Sequence, residues 1–401
     1  MNMDMKDSLV QLMDLSDEIL LIIFEELDNV EMLNSLMGTN TRLDRVLRHP
    51  IFTSHLTLMK SSSNGLSHPL DDIMVDRFCS QILPQIHHNI KWLNLDSLSM
   101  ERVLLASDYP NLCGLGLYEI NYDAALRHFS GDSDELILPL LRRMSNLERL
   151  TLYLSLDRYT SFIDGNHLQQ DIINQLPRLN KFLFNIYSFI NITDLLYQPT
   201  NEDIQSTFKN FKDCKISSAV DYFPKEGNSL CHIYSHPYRL KHYHHITNNF
   251  PGGLFNYVED ISLFDERPFE HEFFIRLTKA FPLLKKLRVS NEEPQNYKNC
   301  QNSNNDNRYS SIIEYPHLTD LSLTFVHEDY VEQFLLDTKA CLLNNITLQI
   351  GYECLQRVTH NFTNNATRVN CAKLTCLLIS QCWRYPKLCD TYFPHVKNVF
   401  G

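Results

Sequence analysis

At 401 residues and 47.0 kDa, with 43% apolar and 21% charged residues, the chain has room for two to four domains or one repeat array, and its composition excludes disorder throughout. Its longest unbroken aliphatic and aromatic run, from Ile19 to Phe24, is six residues against the roughly 20 that cross a bilayer, so no membrane span is expected. A formal charge of −12 opposes a polyanionic partner, so no nucleic acid is expected either. The opening ten residues lack the basic and apolar stretches of a secretory signal, which predicts a protein of the cytoplasm or nucleus. Eleven cysteines without Cys-x-x-Cys pairs then read as mostly buried free thiols.

The first sixty residues carry ten acids against five bases, nearly half of the net excess. Ser16-Asp17-Glu18 places a capping hydroxyl and two carboxylates at a helix start, and this helix is predicted to run to about Leu27. Its apolar residues Ile19, Leu20, Ile22, Ile23, Phe24 and Leu27 cover more than one packing stripe. A second helix is predicted over 30–37 and a third over 41–48, stopped by His49-Pro50. Three helices of about 35 residues together seldom hold a core alone. The surplus apolar face is therefore expected to dock, either on the rest of this chain or on another subunit.

The segment LSDEILLIIFEELDNVEMLNSLMGTNTRLDRVL, which starts at Leu15, resembles an F-box. That family's usual pattern is Leu-Pro-x-Glu-Ile-Leu, Ile-Phe-x-x-Leu, an acidic turn, a second helix around Leu-Leu, and Asn-x-Arg before the third helix. Ser16 stands where the family usually has Pro, and Leu43 where Trp is common. The resemblance implies docking on the Skp-type adaptor of a cullin-RING ubiquitin ligase. Leu15, Glu18, Ile19, Leu20, Ile23, Phe24, Leu27 and Leu33 would form or support the docking surface. The F-box is assigned to 9–58 and a linker with a leading helix to 59–89, with a flexible joint at 61–65.

Beyond it, short boxes share an apolar-x-apolar pair: Leu93 with Leu95, Leu115 with Leu117, Leu150 with Leu152, Phe182 with Phe184, Ile261 with Leu263, Leu287 with Val289, Leu321 with Leu323, Ile346 with Leu348, and Leu377 with Ile379. Four are introduced by an aromatic or Leu, then Pro, any residue and Leu, as in Tyr109-Pro110-Asn111-Leu112. Period-two alternation predicts short strands with one buried face. Helical stretches are predicted between them at 134–143, 269–280 and 330–340. First members are spaced by 22, 35, 32, 79, 26, 34, 25 and 31 residues. Over 90–379 this resembles leucine-rich repeats. The expected fold class is α/β: a short three-helix F-box, then an irregular leucine-rich-repeat solenoid over 90–401, a curved parallel sheet with outer helices. Within the 79-residue step, 219–223, 224–228 and 229–234 read as a strand, a Gly-containing turn and a strand, so a β-hairpin insertion is expected near 187–250. A second insertion is expected near 291–309, where 291–307 holds seven asparagines and should be exposed and mobile.

Catalytic chemistry is sparse. His232, His236, His242, His244 and His245, with Cys231 beside them, invite a zinc reading, but Pro237 intervenes and no second ligand pair has finger-like spacing. They read as hairpin and loop histidines that hydrogen-bond. Cys371, Cys376, Cys382 and Cys389 lack paired spacing too. Gly114-Leu-Gly116 lacks the third glycine of a phosphate loop, and there is no GxSxG elbow or kinase set. No catalytic residue, cofactor or metal is expected.

The resemblances together imply a non-catalytic substrate-recognition subunit of an SCF-type ligase, serving ubiquitin-dependent protein catabolism. Residues flanking the buried pairs would face a target protein: Trp92, Asn94, Tyr118, Arg149, Tyr153, Lys181, Asp260, Phe264, Lys286, Arg288, Asp320 and Gln349. The alternatives are an interaction scaffold with no role in degradation and an enzyme with dispersed residues.

Overall fold

The computed structural model describes residues 12–61, 67–120, 144–158, 160–211, 214–296, 312–343, 345–380 and 389–400. Helices α1 (Asp17–Glu25), α2 (Asn29–Leu36) and α3 (Thr41–Leu47) open it. Asp28 caps α2 by accepting from the amides of Val30 and Glu31, both at 2.9 Å. Asn40 caps α3 by accepting from the Arg42 amide at 2.8 Å. Ser16 stands at the α1 cap position, but its side chain makes no capping bond. It bonds the Glu18 side chain instead, and this bond, with the Glu18 amide, holds that carboxyl below its usual range. The helix start expected there is observed, with Asp17 and Glu18 in the first turn rather than a serine cap. α1 also ends before Leu27, because the Glu26 amide turns back to the Ile23 carbonyl at 3.3 Å and tightens the last turn.

All nine boxes form strands. β1 (His55–Ser61), β2 (Ser67–Pro69), β3 (Trp92–Asp96), β4 (Gly114–Ile120), β5 (Arg149–Arg158), β6 (Lys181–Asn191), β7 (Ile216–Phe223) and β8 (Asn228–Ser235) form one sheet, ordered β2-β1-β3-β4-β5-β6-β8-β7. β9 (His242–Ile246), β10 (Asp260–Phe264), β11 (Lys286–Asn291), β13 (Asp320–Val326), β15 (Ile346–Gly351), β16 (Leu374–Ser380) and β17 (Asn398–Phe400) form a second, ordered β17-β16-β15-β13-β11-β10-β9. β12 (Ile313–Glu314) and β14 (Ala340–Cys341) pair separately. The strands β1-β3-β4-β5-β6 and the whole second sheet run parallel. The fold is thus α/β, with helices joining parallel strands.

Register lines the apolar pairs into ladders. Leu93, Leu115, Leu150 and Phe182 stand opposite one another, as do Leu95, Leu117, Leu152 and Phe184. All are buried except half-buried Phe182. In the second sheet, Ile261, Leu287, Leu321, Leu348 and Leu377 form one ladder and Leu263, Val289, Leu323, Ile350 and Ile379 the other. The β15 pair is therefore Leu348 with Ile350, two residues later than the box expected at Ile346. The proline motifs have a common cause: the Leu112, Leu179, Leu284 and Leu318 amides each bond the carbonyl three residues back, at 3.0 to 3.3 Å. Each motif is a β-turn with Pro at its second position, where the ring pre-sets φ.

Two helices differ from their predicted spans. One observed helix is His271–Ala280; another, Glu328–Leu335, begins and ends earlier than expected because His327 caps it and β14 takes Ala340. The predicted helix at 134–143, most of the joint at 61–65 and the loop from 297 lie outside the described residues. Asn291, expected in that loop, instead ends β11, buried, with Nδ2 donating to the Arg267 carbonyl at 2.8 Å.

The expected hairpin is β7 and β8, joined through Gly227 at φ 72°. The chain has two compact units. One comprises the described residues up to Ser218 with Leu230–His236; the other comprises Ala219–Ser229 with the described residues from Pro237. In the second unit, Asp221 and Asp265, 3% and 4% exposed, lie 3.8 and 3.2 Å from the Arg267 guanidinium. Burial pushes the Asp221 carboxyl up to about 6; bonds from Thr247 and Asn249, at 2.9 and 2.8 Å, oppose the rise, as does Arg267, while Asp265 adds to it. A raised acid favours the neutral form in the fold. The stability it contributes is full below about pH 4 and is lost as pH rises through 6, by up to about 3 kcal/mol. Urea midpoints of wild type should therefore fall between pH 4.5 and 7.5 by more than those of Asp221→Asn; equal falls would contradict this.

Candidate docking surfaces

α1 carries two apolar stripes. Leu20 and Phe24, one turn apart, face inward at 0% and 1% exposure, with the Phe24 ring edge-on to Phe52 at 6.3 Å. Leu33 is fully buried as well. Ile19, Ile22 and Ile23, spaced i, i+3 and i+4, face outward at 44%, 64% and 38%, and Leu27 follows at 49%. Leu15 is half-buried and Glu18 exposed. Three of the eight residues nominated for docking are thus interior. Ile22, which was not nominated, is more exposed than any of them in the apolar set, and its spacing to Ile19 and Ile23 is the signal that marks it.

Arg42 fixes the approach to α1. Its Nε donates to Asp17 at 2.8 Å, Nη1 to the Met13 carbonyl at 2.7 Å and Nη2 to the Leu15 carbonyl at 2.5 Å, while Arg45 reaches Asp17 at 3.0 Å. The Asn-x-Arg element at Asn40 and Arg42 therefore caps α3 and ties it to the segment ahead of α1.

The residues nominated to face a target fall into two sets, one in each unit. In the first, Trp92, Gly114, Arg149 and Lys181 share a cross-strand row. Arg149 and Lys181 are exposed, and Trp92, Asn94, Tyr118 and Tyr153 half-buried. A Cβ on Gly114 would sit 1.9 Å from the Trp92 ring, and one on Gly116 2.3 Å from the Asn94 amide oxygen. The Gly-Leu-Gly element thus lets Trp92 and Asn94 lie across β4, where Trp92 Nε1 donates to Asn94 Oδ1 at 2.7 Å. Tyr118 and Tyr153 meet edge-on at 4.9 Å, and burial pushes the Tyr118 hydroxyl up.

In the second unit, Asp260, Lys286 and Asp320 share one row and Ser262, Arg288, Ser322 and Gln349 the next. Asp260 is buried, 3.0 Å from Arg288, and burial raises its carboxyl. Phe264 packs edge-on to Phe223 at 5.0 Å.

The histidines serve the sheets. His232, on β8, bonds Asn185 at 2.6 Å and stacks on Tyr187, and His236 bonds Ser217 at 2.9 Å. His242, His244 and His245 lie on strand β9 rather than in a loop; His242 and His244 stack at 4.9 Å. Burial first, then His242 and Arg288, drive the His244 imidazole down to about 3. Among the described residues, no group of three or more His, Cys, Asp or Glu could hold a metal ion, and no helix is long and apolar enough to cross a membrane.

No family model matches the chain, and no curated protein matches it.

Proposed function

We propose that the chain is a substrate-recognition subunit of a cullin-RING, SCF-type ubiquitin ligase, with an F-box at its N-terminus and an irregular leucine-rich-repeat solenoid behind it. The observation that carries this reading is the outward Ile19, Ile22 and Ile23 stripe on α1, within the segment that resembles an F-box. A helix packed on one side needs one apolar stripe, and a second, exposed stripe favours a partner subunit. The parallel ladders support the repeat reading. With Leu348 in place of Ile346, the second sheet's steps are 26, 34, 27 and 29 residues, three of them within the 20 to 29 of regular leucine-rich repeats.

The mechanism is proximity. The Skp-type adaptor and cullin hold the chain, the sheet faces hold a target protein, and a ubiquitin-charged enzyme in the same assembly reaches a target lysine. The chain supplies effective concentration and orientation and no chemical step. Tagged full-length chain purified from cells should carry adaptor and cullin in near-equal amounts. Recovery of neither would contradict the proposal, and recovery of the adaptor with unchanged half-lives of co-purified targets would favour a scaffold.

A further inference from the structure

In the first unit, a cleft of about 360 Å³ opens between residues 160–164, the start of helix Gly165–Asp171, the loop holding Leu196 and Tyr197, and helix Asn201–Ser206. Its size is that of a small-ligand or side-chain site. Phe162 and Ile204, 3% and 5% exposed, give it apolar walls. Asp164 and Asp203 line it together with His167, which bonds Asp164 at 2.7 Å, and among the described residues no lysine or arginine lines it.

Asp164 caps helix Gly165–Asp171, and Asp203, the third residue of helix Asn201–Ser206, closes the capping box of Thr200; each acts mainly through one oxygen. Asp164 Oδ1 accepts from the His167 amide at 3.0 Å and from His167 Nδ1 at 2.7 Å, Oδ2 accepts from Asn166 Nδ2 at 3.4 Å, and the Asn166 amide also bonds the carboxylate. Asp203 Oδ2 accepts from the Tyr197 hydroxyl at 2.9 Å and from the Thr200 amide and hydroxyl, both at 2.8 Å. An ionised carboxylate has about four lone-pair sites, so Asp203 keeps accepting capacity. Asp203 is held below the ordinary carboxylate range by Thr200 and Tyr197. Burial pushes Asp164 up, but the His167 bonds outweigh it and hold that carboxyl low too. The cleft is therefore anionic with apolar walls, the chemistry of a cation on an aliphatic stem. Leu196, 92% exposed, and Tyr197, 65% exposed, stand beside it and extend the apolar surface past its mouth.

We infer that this cleft binds an arginine or lysine side chain of another polypeptide, its charge against Asp164 and Asp203 and an apolar neighbouring residue on Leu196. The inference does not depend on the adaptor. A free amine would have no use for Leu196, whereas a peptide with an apolar residue beside its cation would.

The test is fluorescence polarisation with the full chain and two labelled peptides, Gly-Leu-Arg-Leu-Gly and the same sequence with neutral citrulline in place of arginine. The arginine peptide should bind saturably and at least about tenfold more tightly than the citrulline peptide, a difference that shrinks with salt. Asp164→Asn with Asp203→Asn should erase the difference while keeping both helix starts, since Asn caps as well as Asp at position 164, Thr200 still caps the second helix, and an Asn oxygen at 203 can still accept from the Thr200 amide. Leu196→Ser should weaken both peptides. Equal binding of the two peptides to wild type, no saturable binding of either, or a preference that survives the double substitution would overturn the inference. The wild-type comparison stands even if the double variant fails to fold.

Discussion

Asn370→Ala is expected to cost about 3 to 5 kcal/mol of unfolding free energy, more than any exposed substitution. Asn370 is fully buried. Its Nδ2 lies 3.2, 3.3 and 2.7 Å from the carbonyls of Phe334, Leu335 and Ala340, and its Oδ1 accepts from the Leu342 amide at 3.1 Å. Two of those carbonyls belong to the last turn of helix Glu328–Leu335, where carbonyls have no partner within the helix. Truncation leaves four backbone groups to find other partners, each costing about 1 to 3 kcal/mol if buried alone, with partial relief by relaxation. Val369→Ala, at a side chain 49% exposed, should change stability by less than about 0.5 kcal/mol. Urea unfolding of the two variants measures this directly, and a loss below about 1 kcal/mol for Asn370→Ala would contradict the network.

Ile19→Asp combined with Ile23→Asp should weaken adaptor binding at least about 100-fold, close to 3 kcal/mol, with little change in thermal stability. Both side chains lie on the outward stripe, so the carboxylates introduced remain hydrated in the free protein and become desolvated only on docking. Leu20→Asp with Phe24→Asp should behave differently. Those side chains are interior, and burying two charges there should unfold the N-terminal helices before docking is tested. Circular dichroism separates the two pairs. Intact adaptor binding in the Ile19 and Ile23 variant would remove the outward stripe from the interface.

The strands were legible because their alternation and their turn chemistry agree. Each apolar-x-apolar box became a ladder member, and each Pro-containing turn sits just ahead of a strand or in the lead-in to it. β15 was misplaced by one pair because Ile346, Leu348 and Ile350 all alternate correctly, and only the neighbouring Leu321 and Leu377 choose between them. β1 was missed as a strand although Leu56 and Leu58 alternate and stand opposite Leu93 and Leu95, since it directly follows helical sequence. β9 was hidden by its polarity and by His245, whose φ of 55° breaks the alternation where the register shifts.

The site was legible only as a segment. In α1 every candidate except Glu18 is apolar, so composition cannot separate the inward Leu20 and Phe24 from the outward Ile19 and Ile23. That distinction needs the positions of α2 and α3. The cleft at Asp164 and Asp203 had no sequence signal, because residues some forty positions apart meet only in the fold. Asn370 likewise looks like any other asparagine until three carbonyls are found around it.

Calorimetric titration of purified Skp-type adaptor into the wild-type full-length chain tests the central claim most directly. The account predicts one-to-one binding with a Kd below about 1 μM and a negative heat-capacity change from burial of the Ile19, Ile22 and Ile23 stripe. Absence of binding at about 50 μM adaptor, with the chain shown to be folded in the same cell, would contradict it.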